Sequence, residues 1–252
     1  MEHKIPKRIF QTRLIKPSGE EIHVIKNIFH GWTYENFREG DEIYQFFKDN
    51  PLEEFPDIIE KYNRFKGAHR SDIFRYYYLY VNGGCYLDDD ALPHTNIDYI
   101  IGDSEKEGVF IKSEFFKEKY DMIHIFNGFI CIVPKHPIMY KALHHMYHIT
   151  TEEYLTESKK NYQLFCEELY KIIYYDKDIN RENLRIYNET ITSKDKLNES
   201  TIMNKRNVKI LTHYFNYKHL KSNKIPKDHE LLSLLPIQEL KYTYNGLMSR
   251  LS

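Results

Sequence analysis

The stretch from Ala68 to Asp90 constrains the fold more than any other part of the chain. Apolar and aromatic residues recur at helical spacing up to Tyr80 (Ile73, Tyr76, Tyr77, Leu79, Tyr80), which predicts a helix. Asn82-Gly83-Gly84 stops it, glycine being suited to the left-handed backbone at helix C-termini. Cys85-Tyr86-Leu87 then reads as a short buried strand that runs straight into Asp88-Asp89-Asp90. An acidic cluster at a strand end lies where open α/β sheets bind their ligands.

The rest of the chain fits that class. Strands are predicted at Ile5–Thr12, Thr33–Phe37, Gly108–Lys112, Gly128–Val133 and Val208–Leu211. Helices are predicted from the Pro17-Ser18-Gly19 turn to about His30, from Asp41 to Asn50, from His136 to Ile149 and from Lys159 to Tyr175. The polar stretch Asn188–Asn207 reads as a loop. Alternating strands and helices predict an α/β sheet fold rather than a bundle. With 252 residues, no internal repeat and no linker, one domain over 1–252 is expected.

Composition excludes several partners. Lys and Arg number 36 against 37 Asp and Glu, a balance that gives no field for a polyanion, so nucleic acid is not expected. No apolar run approaches the roughly 20 residues of a membrane span, and Met1–Leu14 lacks the apolar core of a signal peptide. A cytoplasmic protein is the expectation. Cys85, Cys131 and Cys166 form no CxxC pair, so neither a zinc knuckle nor a disulfide framework is indicated, and a reducing compartment fits. Cys85 and Cys131 read as small core residues.

Asp88 and Asp90 point to one side of an extended backbone and Asp89 to the other. Like charges so placed repel unless a cation neutralises them, and an all-oxygen set suits a hard ion such as Mn²⁺ or Mg²⁺. The plain alternative is a solvated acidic turn. Upstream, Asp72 and Arg75 stand one helical turn apart and face the same way. They read either as a helix-surface ion pair or as a pair that holds hydroxyls of a sugar. His144 and His148 share a helix face but have no acidic companion, so they read as ordinary histidines.

The run Ala68-His69-Arg70-Ser71-Asp72-Ile73-Phe74-Arg75, with Leu79-Tyr80 and Gly83-Gly84-Cys85-Tyr86-Leu87-Asp88-Asp89-Asp90, resembles the DXD-containing sugar-binding region of certain glycosyltransferases. These are the enzymes of the fungal Golgi mannosyltransferase and capsular-polysaccharide type; the clostridial toxin glucosyltransferase domain is similar. Ile5-Pro6-Lys7-Arg8-Ile9-Phe10-Gln11-Thr12 is similar to the family's first strand, and Asn127-Gly128-Phe129 with Pro134-Lys135-His136-Pro137 to its downstream segment. Position 135 is Lys where the family has Gly, and the late Thr-Gly-Pro and Ser-Trp motifs are missing.

The resemblance implies a GT-A fold, a mixed Rossmann-like sheet that binds a UDP- or GDP-hexose in residues of about 5–140, with an acceptor or lid part over about 141–252. It implies a retaining, Mn²⁺- or Mg²⁺-dependent transfer to a glycan, polysaccharide or protein hydroxyl. Asp90 would ligate the metal and Asp88 would touch both metal and donor. Asp72 and Arg75 would hold the donor sugar, with Asn127 nearby. Phe10, Gln11 and Thr12 would line the nucleotide site, and His213, after the strand Val208–Leu211, would be a late metal ligand. The rival readings are a metal-dependent phosphodiesterase or phosphotransferase, whose two-metal chemistry also uses carboxylate pairs, and a sugar-nucleotide binder without catalysis.

Overall fold

Side chains alternate across the central strands, and each face of the sheet gathers its own core. A computed structural model describes residues 3–13, 22, 26, 29–88, 91–114, 122–191, 199–203 and 209–214. The strands among them are β1 (Arg8–Arg13), β2 (Thr33–Arg38), β3 (Gly84–Leu87), β4 (Ala91–Pro93) and β5 (Gly108–Ser113). Then come β6 (His124–Ile125), β7 (Phe129–Ile132), β8 (Leu184–Ile191), β9 (Glu199–Met203) and β10 (Lys209–Tyr214). They join in one mixed sheet, ordered β2-β1-β3-β7-β5-β8-β9-β10-β4, with β6 beside β5. The trio β2-β1-β3 is parallel, β7 is antiparallel to β3 and β5, and β8 is parallel to β5.

Phe10, Tyr86, Phe110, Ile130 and Ile132 enter one core, which helices cover. Their neighbours Ile9, Cys85, Val109, Cys131 and Ile111 enter the opposite one. In chain order the helices are α1 (Asp41–Asp49), α2 (Ile58–Arg64), α3 (Ala68–Asn82), α4 (Ile97–Ile101), α5 (Pro137–His148), α6 (Thr151–Lys160) and α7 (Leu164–Tyr175). The short α4 packs on the second core through Ile97, Ile100 and Ile101. The result is the expected α/β architecture, a mixed sheet flanked by helices.

Helix α3 is buried nearly all round, as a helix enclosed by sheet and other helices must be. Tyr76, Tyr77 and Tyr78 lie in the core, and each hydroxyl donates to an acceptor: Phe165 O, Asn50 O and Glu35 Oε2. Burial of the ring is thereby compatible with its polar tip.

Three expectations change. The helix expected over Lys159–Tyr175 is two helices. Thr150 and Glu153 close a capping box that starts α6, and Asn161 ends it. The Asn161 Oδ1 then accepts from Gln163 N at 2.8 Å, a side-chain bond that replaces the helical ladder. The polar stretch from Asn188 carries strand as far as Ile191 and again over Glu199–Met203, because β8 pairs along β5 from Gly108↔Leu184 to Ser113↔Glu189. Cys85 and Cys131 are fully buried, as core residues should be, but they stand directly opposite each other and form a disulfide, contrary to the reading of no pairing. Most of the helix expected between Pro17 and His30 lies outside the described residues.

The turn that ends α3 is held by two unusual backbones. Gly83 has φ 63° and ψ −158°, and a Cβ there would lie 2.6 Å from Pro134 N. Lys135, at φ 57°, takes the left-handed conformation that explains glycine in the resembling family, and its Nζ sits 4.2 Å from the Tyr80 ring centroid. Gly83→Ala should therefore lower stability by about 1–3 kcal/mol or more. For Lys135→Gly, relief of about 1–2 kcal/mol of backbone strain opposes loss of a cation–π contact of about 0.5–1 and added chain entropy, so a near-neutral result is expected. Lys135→Ala loses the ring contact and keeps the strain, and should lose about 0.5–1 kcal/mol. Urea midpoints at constant m-value check all three.

Candidate functional site

The strand order β2-β1-β3 places a switch point between β1 and β3, because the chain leaves β1 toward β2 and returns on the other side. A crevice opens at the carboxyl ends of strands at such a point. The residues at those ends are Gln11 and Thr12 of β1 and Asp88 after β3. The reversal at Gly83-Gly84 runs α3 back against β3, which brings Asp72 and Arg75, near its start, level with the strand end.

Asp72 and Arg75 are not a surface pair. They are 5% and 3% exposed. The Arg75 guanidinium lies 3.2 Å from Asp72 Oδ1, donates through Nη2 to Asp88 Oδ1 at 3.1 Å and through Nη1 to the Asn127 carbonyl at 2.6 Å. It stacks 3.8 Å from the centroid of the Tyr86 ring. Tyr86 in turn donates to Asp88 Oδ1 at 2.6 Å, and its oxygen is 3.0 Å from Thr12 Oγ1. Gln11 Nε2 reaches the Asp88 carbonyl at 3.4 Å, while Gln11 Oε1 accepts from Tyr34 and Arg13. Asn127 Nδ2 donates to Asp72 Oδ1 and to Tyr76 Oη.

Burial pushes the Asp72 carboxyl up from the ordinary carboxylate range, against the pull of Arg75 and His69. Burial also opposes the Arg75 charge, but Tyr86, Asp88 and Asp72 more than offset it, so the guanidinium is held charged. Burial raises the Tyr86 phenol well above its usual value, which keeps it a donor to Asp88. Two buried polar atoms of this network, Arg75 Nε and Asn127 Oδ1, have no protein partner. Buried groups of this kind are satisfied by water or by a ligand.

Asp72, Arg75, Asp88, Asn127, Gln11 and Thr12 thus converge. Phe10 is fully buried in the aromatic core, stacked 3.8 Å from Tyr78, and takes no part in the bond network. Asp90, with Asp89, lies outside the described residues. The backbone of His213 pairs with Ala91, the residue after Asp90, so β10 returns the late chain to the triplet. The His144 and His148 rings lie 4.1 Å apart, but among the described residues no three His, Cys, Asp or Glu side chains gather as a metal site.

Three participants were not evident from the sequence. Tyr86 holds Asp88, and a Tyr two residues before the acidic triplet on a strand was the available signal. A Cβ on Gly128 would lie 2.6 Å from Asp88 Oδ2, so this glycine leaves the carboxylate its space. Cys166, at the start of α7, has its thiol raised well above the usual range by burial and then by Asp72, while the Asn127 backbone pulls it down.

Residues 22–107, about a third of the chain, match the family described as a glycosyltransferase sugar-binding region containing a DXD motif. That span includes Asp72, Arg75, Asp88 and Asp90. A glycosyltransferase of Acanthamoeba polyphaga mimivirus, named as uncharacterized, is 31% identical over 106 residues, which are 40% of this chain and 38% of that protein. The chain therefore matches well under half of that relative's length. Among solved structures, one titled PaToxG Glycosyltransferase has a TM-score of 0.39 and 12% identity, covering 71% of this chain and 72% of that one. Among the described residues no helix is long and apolar enough to cross a membrane.

Removing one partner of a buried ion network strands the others, at about 3–5 kcal/mol. Arg75→Met should fall in that range and Arg75→Lys, which keeps the charge but not the fork, should cost less; urea denaturation distinguishes them. Gly128→Ala should disturb the Asp88 carboxylate directly, and in a crystal structure the Tyr86–Asp88 bond is expected to lengthen beyond hydrogen-bond reach.

Proposed function

We propose that the chain is a glycosyltransferase of the GT-A type that uses a UDP- or GDP-hexose. One observation carries this reading: a charged, buried Arg75 bound at once to Asp72, Asp88 and the Asn127 carbonyl at the switch point of the sheet. A surface pair would have no such partners. The match of residues 22–107 to a DXD sugar-binding region supports it.

In this reading the sugar hydroxyls of the donor meet Asp72 together with Arg75 Nε and Asn127 Oδ1, two buried polar atoms without a protein partner. Gln11 and Thr12 flank the nucleotide. Arg75 and Tyr86 both engage Asp88 through Oδ1, which leaves Oδ2 in the space kept by Gly128. That oxygen, with Asp90 and His213, would hold Mn²⁺ or Mg²⁺, the oxygen-rich set suiting a hard cation. The cation would supply charge stabilisation for the departing diphosphate. The fixed Arg75 adds positive charge to a water-poor site at no reorganisation cost. No dedicated protein base is assigned; the leaving diphosphate would take the acceptor proton, on the same face, with retention. The acceptor is a hydroxyl of a glycan, polysaccharide or protein.

A thermal-shift screen of UDP-, GDP- and CMP-sugars with and without Mn²⁺ tests the reading. One donor class should stabilise the protein with the metal present, by about 2.7 kcal/mol at a hundred times Kd. Asp88→Asn retains the shape and an oxygen for Arg75, and should lose at least about a hundredfold in transfer, the scale of one electrostatic contact in a dry site. Near-normal turnover of that variant, or no stabilisation by any nucleotide sugar, would sink the proposal.

A further inference from the structure

Opposite the sheet, the Asp72 end of α3 meets the linker between α6 and α7. His69, one turn before Asp72 and buried, ties the two together. Its Nε2 donates to the Tyr162 carbonyl at 2.9 Å, and its Nδ1 lies 3.1 Å from the Tyr154 hydroxyl. The linker is thus fixed through its backbone. Its side chain, the Tyr162 ring, lies over the imidazole with centroids 5.4 Å apart and an interplanar angle of 33°, and is 65% exposed.

A single exposed tyrosine is ordinary on a surface, but the position of this one is not. Three residues on, the segment reaches the acidic cluster: the Tyr76 hydroxyl donates to the Phe165 carbonyl at 3.4 Å and accepts from Asn127 Nδ2 at 2.7 Å. Tyr175, equally exposed at 71%, sits at the other end of α7, about 18 Å along the helix axis.

We infer that Tyr162 is the aromatic platform for the acceptor, and that the acceptor is a carbohydrate whose pyranose ring stacks on it beside the Asp72–Arg75–Asp88 cluster. This rests on the glycosyltransferase reading. The donor is assigned to buried polar atoms at the floor; a ring two-thirds in water stands at the rim, where the second substrate arrives from solvent. The electron-rich face of a phenol attracts the slightly positive C–H face of a sugar, and the nearby carboxylates and guanidinium suit its hydroxyls. A peptide acceptor has no comparable need for a flat apolar face.

The test is saturation-transfer NMR with cellobiose, lactose, maltose and methyl α-mannopyranoside, in the presence of UDP or GDP and Mn²⁺. Wild type should bind at least one sugar. Tyr162→Ala, which leaves the backbone carbonyl for His69, should weaken that sugar roughly threefold to tenfold. Tyr162→Phe should retain most of the affinity, and Tyr175→Ala should match wild type. Binding unaffected by Tyr162→Ala, binding equally lost in Tyr175→Ala, no sugar bound by wild type, or a Ser/Thr peptide bound through Tyr162 in place of sugars would each overturn the inference. Nucleotide stabilisation of the wild type is scored separately: if it fails, the donor reading falls, and if it holds while the sugars ignore Tyr162, only this inference does.

Discussion

One guanidinium organises the switch-point end of this sheet. A positive charge at 3% exposure is costly unless its neighbours compensate, and the neighbours of Arg75 come from separate parts of the chain: Asp72 from its own helix, Asp88 from the strand that follows, Asn127 and Tyr86 from two strands' margins. Since each loses its partner if another shifts, helix, strand ends and the Asn127 turn are held in a single arrangement. Burial turns what would be a negligible surface pair into a constraint on four elements.

The same arrangement sets the electrostatics. Arg75 sits between two carboxylates, and burial raises the Asp72 carboxyl. Tyr86 and Gly128 also act on geometry, one fixing an Asp88 oxygen and the other leaving room for its twin.

Much of this was legible where the information is local. The helical spacing from Ala68 to Tyr80, the glycine pair and the short apolar strand led to α3, the reversal and β3, and so to Asp72, Arg75 and Asp88. What escaped was set by partners distant in sequence. Cys85 and Cys131 are 46 residues apart and are matched only by the β3–β7 register. The strands at 184–191 and 199–203 carry polar residues and owe their extension to pairing along β5 and to each other. Whether Asp72 and Arg75 lay inside or outside could not follow from i to i+3 spacing, because that spacing is the same on either side of a helix.

The hairpin-like passage from α3 into β3 also sets how substitutions spread through the molecule. Asp72, Arg75, Tyr86 and Asp88 lie within one uninterrupted segment, so they are inherited as a unit and any change in one meets its partners at once. The linker carrying Tyr162 and the start of α7 lies far downstream and rests on that unit through a backbone carbonyl, a contact indifferent to side-chain identity. A substitution at Tyr162 therefore leaves that contact in place, whereas one at Asp72, Arg75, Tyr86 or Asp88 acts on the other three at once.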